Sequence, residues 1–112
     1  GTCGEEGSRA LERTLKHETA HGLFYTNSEY QSRVLEVLSR VSPEKRDEMK
    51  GFIVEKWKYH PSRFVDEMHA YILDPPSFLA SKGIEVDSLK DVRKELKRIF
   101  KEYTRGVNFK IN

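Results

Sequence analysis

Apolar residues recur along this chain at intervals of three and four, a spacing that predicts helices almost throughout. Leu11, Leu15 and Leu23/Phe24 follow it in a first helix that Ser8 is placed to cap, after a loop at Gly4 to Gly7, and that runs to about Phe24. Thr26-Asn27-Ser28-Glu29 reads as a capping box opening a second helix to about Val41, with Tyr30, Val34, Leu35, Val37, Leu38 and Val41 as its buried side. Ser42-Pro43 joins a cap to a proline at the first helical position and predicts a third helix to about Tyr59. His60-Pro61-Ser62 breaks the pattern. A fourth helix covers about Ser62 to Leu73 and is stopped by Asp74-Pro75-Pro76. Phe78 to Ser81 reads as a short turn of helix closed by Gly83. Asp87 or Ser88 caps a fifth helix to about Tyr103, whose stripe Leu89, Val92, Leu96, Ile99, Tyr103 is core spacing. Beyond Gly106, Val107-Asn108-Phe109-Lys110-Ile111 alternates apolar and polar, a strand period that occurs nowhere else in the chain. The expected fold class is mainly α: a compact helical domain with little or one short β element.

Composition narrows the picture. A chain of 112 residues is one domain, residues 1–112, with residues 104–112 as a tail. Only 37% of its residues are hydrophobic, so its core is small. Lys+Arg and Asp+Glu nearly balance at 20 and 18, and no Lys/Arg block interleaves with aromatics, so nucleic acid is not expected as a partner. The Lys94-Glu95-Lys97-Arg98-Lys101-Glu102 run reads as a solvated helix face. No apolar run reaches the roughly 18 residues of a membrane span. No signal peptide is visible, although the chain starts Gly-Thr-Cys and not with Met. A single cysteine, Cys3, leaves no internal disulfide and fits a reducing compartment, so a cytoplasmic location is expected. Lys and Glu are plentiful while Asn and Gln are scarce, as in thermophile proteins.

Five residues carry the chemistry. His17-Glu18-Thr19-Ala20-His21 is an H-E-x-x-H motif within the first helix. Positions i and i+4 lie on one helix face a turn apart, so two imidazoles can grip one zinc ion while Glu18 stands beside it to handle a proton. A catalytic zinc needs a third protein ligand and an open position. The fourth helix offers Glu67, on the face of Phe64 and Tyr71, where a buried carboxylate requires a partner. Asp66 and His69, which share a face at i+3, and His60, on the loop before Pro61, are rival ligands. Phe52, Ile53, Trp57 and Tyr59 read as core, as do Met49 and Met68. Arg13 and Arg63 could meet a substrate carboxylate, but nothing in the sequence singles them out.

With the downstream Asp66-Glu67-Met68-His69-Ala70-Tyr71, the motif resembles that of the gluzincin metallopeptidases, and the small size resembles the minigluzincins. Those are small soluble archaeal relatives of the catalytic domains of integral-membrane metallopeptidases. Leu15 to Tyr30 and Phe64 to Leu73 carry the resemblance, under a third of the chain. It implies His17, His21 and Glu67 as zinc ligands, Glu18 as the general base, and Ala70 at the small position three after the glutamate. Tyr71, four after it, occupies the place of a residue that orients a histidine; Asp66 is a second candidate for that role. Tyr71, Tyr59 and His60 are the candidates to stabilise an oxyanion. Two departures stand out. Gluzincin clefts carry a β-ribbon upstream of the active-site helix, and few residues precede the motif here. Some minigluzincins also resemble zymogens with the C-terminal segment in the cleft, a role open to Val107 to Asn112.

The function expected is zinc-dependent hydrolysis of peptide bonds, in a peptide or protein substrate, by a metalloendopeptidase that the tail keeps latent. Two other readings stay open. One is an antirepressor-type regulatory relative, which Leu73-Asp74-Pro75-Pro76 resembles. The other is a non-catalytic helical module whose zinc is structural and would add His69 to close the site.

Overall fold

The computed structural model describes residues 2–107, with side chains for residues 10–107. The three-and-four spacing becomes α1 (Thr2–Thr26), α2 (Ser28–Leu38), α3 (Pro43–Lys50), α4 (Phe64–Leu73), α5 (Pro76–Ser81) and α6 (Lys90–Tyr103). α3 continues as a π-helical turn over Gly51–Lys56, and 3-10 turns at Pro61–Arg63 and Asp87–Leu89 lead into α4 and α6. The chain is therefore mainly helical, and among the described residues no strand forms and no helix is long and apolar enough to cross a membrane. Most of the strand-patterned tail, residues 108–112, lies outside the described residues; Val107 itself closes a turn, its N–H donating to the Thr104 carbonyl at 3.0 Å.

α4 is the element on which the others gather, packing against α1, α2, α5, α6 and the π-helical turn. Seven of its ten residues are buried, among them Phe64, Met68, Ala70 and Ile72. α6 covers it with Val92, Leu96, Ile99 and Phe100, and α2 adds Tyr30, Val34, Val37 and Leu38. Each such Leu, Ile or Met contributes about 1.5–3 kcal/mol by leaving water. Because α4 also buries Asp66, Glu67 and His69, its polar groups must find partners inside the protein.

Several boundaries differ from the sequence expectation. α1 begins at Thr2, so Gly4 to Gly7 are helical and Ser8 is inside the helix. Two helical glycines cost about 1 kcal/mol each, against a run of strong helix formers from Arg9 to Arg13 that carries the helix backward. Leu11 and Leu15 are exposed, 47% and 40%; among the described side chains of α1, Ala20 and Phe24 are the buried ones. Leu35 is likewise exposed. The cap of α2 is Asn27, whose Oδ1 accepts from the Tyr30 N–H at 3.0 Å, and Thr26 instead bonds back to the Gly22 carbonyl. Ser42 caps α3 as expected. The third helix changes to π geometry at Gly51 and ends before Lys58, whose φ of 64° reverses the chain and lays Trp57 and Tyr59 against Tyr71.

Neither Asp87 nor Ser88 caps α6. Glu85 instead holds the 3-10 turn that leads into it: its Oε1 accepts from the Ser88 N–H at 2.8 Å and its Oε2 from the Ser88 hydroxyl at 2.7 Å, with Lys45 of α3 3.2 Å away. The Ser88 bonds, and then Lys45, hold the Glu85 carboxyl down to about 2, below its ordinary 4.5. A depressed carboxylate stabilises the fold fully above its unfolded value and loses that contribution as pH falls towards the folded one. Glu85→Gln should therefore lower the melting temperature at pH 7 by about 1–3 °C. It should also flatten its decline between pH 4.5 and 2, read by circular dichroism melts; parallel pH curves for parent and variant would contradict this role.

Candidate metal centre

Two turns of helix and one facing carboxylate make the centre. On α1, His17 and His21 stand one turn apart with ring centroids 4.7 Å from each other, edge to face. α4 crosses them and presents Glu67, only 3% exposed. Its Oε2 lies 3.4 Å from His21 Nε2 and 4.0 Å from His17 Nε2. One ligand atom from each of the three residues lies within 4.8 Å of the others. Glu67 Oε2 is buried with no hydrogen-bond partner among the described residues. Its other oxygen is 3.7 Å from Arg63.

The far nitrogens of both rings are anchored. His17 Nδ1 meets Asp74 Oδ2 at 3.2 Å, and His21 Nδ1 meets Asp66 Oδ2 at 2.8 Å. Carboxylates only accept, so Nδ1 carries the proton in each ring and Nε2 is turned towards Glu67. Asp74 is held in turn: it caps α4, its N–H donating to the Ala70 carbonyl at 3.2 Å, and its own carbonyl accepts from Arg93 Nε of α6 at 3.2 Å. Asp66 is held from the inside. Burial pushes its pKa up, yet His21 and His69 outweigh that and keep it below the ordinary carboxylate value. Tyr71 packs edge-on against His17 with centroids 5.0 Å apart, backed by Trp57 and Phe78.

The hydrogen bond that His21 donates to Asp66, then the nearby Glu67 carboxylate, raise the His21 pKa to about 10 against the opposing effect of burial. An ion at His21 Nε2 would compete with a proton for that nitrogen. The donor set suits an ion: two imidazole nitrogens and one carboxylate oxygen converge, and the orphaned Glu67 oxygen supplies the negative charge that such an ion would neutralise. His17, His21 and Glu67 could hold a metal ion.

Of the rival ligands, Asp66 is committed to His21 and His60 is exposed on its loop, where it accepts from the Ser62 N–H at 3.2 Å and contacts the Ser62 hydroxyl at 2.8 Å. His69 is fully buried; its Nδ1–H donates to the Asp66 carbonyl at 2.8 Å, so in the neutral ring Nε2 accepts from the Tyr30 hydroxyl at 2.8 Å. Glu18 is exposed, one residue on from His17. Tyr59 and Tyr71 pair through their hydroxyls at 3.1 Å. Asp74, which meets His17, is the site neighbour that sequence reasoning missed, because the proline pair after it reads only as a helix stop. The signal was present: Asp74 follows Glu67 by seven residues, two turns along the same face as Tyr71. Compared with known proteins, the chain matches no family model, no curated sequence and no solved structure.

If Asp74 and Asp66 fix the imidazoles for an ion, Asp74→Asn and Asp66→Asn should each weaken divalent-ion binding about 10–100-fold. Competition with a chromophoric chelator measures this, and parental affinity in both variants would remove the orienting role.

Proposed function

We propose that the chain is a zinc-dependent peptide hydrolase of the gluzincin type, close in organisation to the minigluzincins. The observation that carries the reading is the buried Glu67 carboxylate, from a separate helix, facing both imidazoles of the H-E-x-x-H motif. Two imidazoles and one carboxylate leave a zinc ion an open position, the pattern of catalytic and not structural sites. When bound, zinc supplies Lewis acidity to a water and to a substrate carbonyl.

The chain's own residues divide the remaining work. Asp74 and Asp66 keep both rings in the tautomer that offers Nε2. The Glu18 carboxylate takes the proton of the attacking water and delivers it to the leaving amine nitrogen. Its exposure is compatible with water reaching it from the open side of α1. The Tyr71 hydroxyl, beside His17 and pushed above its ordinary pKa chiefly by burial, stays protonated at neutral pH and is the donor best placed for an oxyanion. Tyr59 supports that hydroxyl, while His60 is occupied as a turn cap. Latency belongs to the same reading. Gly106 and Val107 line a cleft that also includes His17, which puts the root of the tail beside the centre.

The test is hydrolysis of casein or a fluorogenic peptide by zinc-loaded protein whose metal content is measured by elemental analysis. Glu18→Ala should keep the zinc and lose about 100-fold or more in rate. Equal rates in parent and variant would eliminate Glu18 as base, and zinc-loaded parent without peptidase activity, tail removed, would eliminate the hydrolase. Deleting residues 108–112 should raise the rate; an unchanged or lower rate would show that the tail does not restrain it.

A further inference from the structure

The cleft that reaches His17 and Asp74 has a volume of about 910 Å³, and its wall is strongly one-signed. Arg13 and Lys16 enter it from α1, Arg93, Lys97 and Lys101 from α6, and Arg105 from the turn beyond. Among the described residues, Glu12 and Asp74 are the acids that oppose them. Six of the chain's 20 Lys and Arg thus face two of its 18 acids, a local excess of four positive charges on a molecule whose net charge is +2. The sequence hides this excess because charges alternate along α6, and the helix then sorts them. Glu95 pairs with Arg98 at 2.7 Å and Glu102 with Arg33 at 2.6 Å, while Arg93, Lys97 and Lys101, four residues apart, form a stripe along the cleft. Their crowding lowers the pKa of Lys97, first through the charge of Arg93, then through burial, Lys16 and Lys101.

We propose that this basic cleft binds an acidic peptide stretch and leads it to the His17, His21 and Glu67 centre. The stripe repeats every four residues, about 6 Å along the helix. Alternate side chains of an extended peptide repeat every 6–7 Å or so, so carboxylates at every second position meet successive cations. Arg93 to Lys101 span about 12 Å, the length of roughly four extended residues. A single-stranded nucleic acid would bring the same negative charge, but such sites add aromatic platforms on which bases stack. Among the described residues Phe100 is the one Phe, Tyr or Trp in this lining, and it is buried. What happens to the peptide after binding rests on the hydrolase reading; binding itself does not.

The test uses fluorescence anisotropy of the full chain with labelled eight-residue peptides that alternate Glu-Ala or Gln-Ala, and with a labelled twelve-nucleotide oligothymidylate. The Glu peptide should bind about tenfold more tightly than the Gln peptide and weaken as salt rises. Lys97→Gln combined with Lys101→Gln should cost about fivefold. Arg98→Gln, off the stripe, should change nothing. Equal binding of the two peptides, parental affinity in the double variant, or tighter binding of the oligonucleotide than of the Glu peptide would each overturn the assignment. Cleavage of longer fluorogenic versions is followed in parallel. Charge-selective binding without cleavage, in zinc-loaded protein with residues 108–112 removed, leaves the cleft assignment standing and removes the hydrolase; cleavage indifferent to acidic residues does the reverse.

Discussion

A carboxylate buried beside two imidazoles is the constraint from which the rest of this structure follows. Removing an ionised group from water costs several kcal/mol, and only a compensating charge or a set of hydrogen bonds returns it. Glu67 is nearly inaccessible, yet one of its oxygens has no hydrogen-bond partner among the described residues. The His21 ring lies 3.4 Å from that oxygen, and a cation held by the same three residues would answer its charge. The helices are placed to keep this balance: α1 brings the rings, α4 brings the acid, and α6 grips the carbonyl of Asp74 so that its carboxylate stays on His17.

Adjacent residues on α4 serve different layers of the same centre. Glu67 faces the Nε2 atoms, and Asp66, one position earlier, reaches round to His21 Nδ1. A third layer lies behind it, since His69 holds the Asp66 carbonyl and is itself held by Tyr30 of α2 and stacked on Phe24 of α1. Asp66 and Glu67 meet opposite ring nitrogens of the same His21, while His69 is tied to the Asp66 carbonyl and to Tyr30. One short element can carry so much charge in the core because partners reach it from both α1 and α2.

Much of this was legible in the chain. The core stripe of α6, the buried positions of α2 other than Leu35, and the cap at Ser42 follow from periodicity and from residue types with one dominant local use. The pairing of the motif with Glu67 was legible too, since an acid on an inward face needs a counter-charge. What escaped was decided by tertiary contacts. Leu11 and Leu15 have the right spacing yet stay exposed. Glu85 holds the 3-10 turn before α6 while also meeting Lys45 of α3, a placement no local rule encodes. Asp74 carried two messages, and the stop signal of the prolines masked the face it shares with Glu67. The one-signed cleft was invisible because it combines side chains from α1 with side chains from α6.

The two imidazole–carboxylate bonds join positions 57 and 45 residues apart in the chain. Contacts that distant form only once the intervening segments have found their places, for the loop they close is expensive until other packing offsets it. A nascent or partly unraveled chain therefore presents two histidines a turn apart and nothing more. The three-donor pocket exists only in the finished tertiary structure, which makes tight capture of an ion a report that assembly is complete.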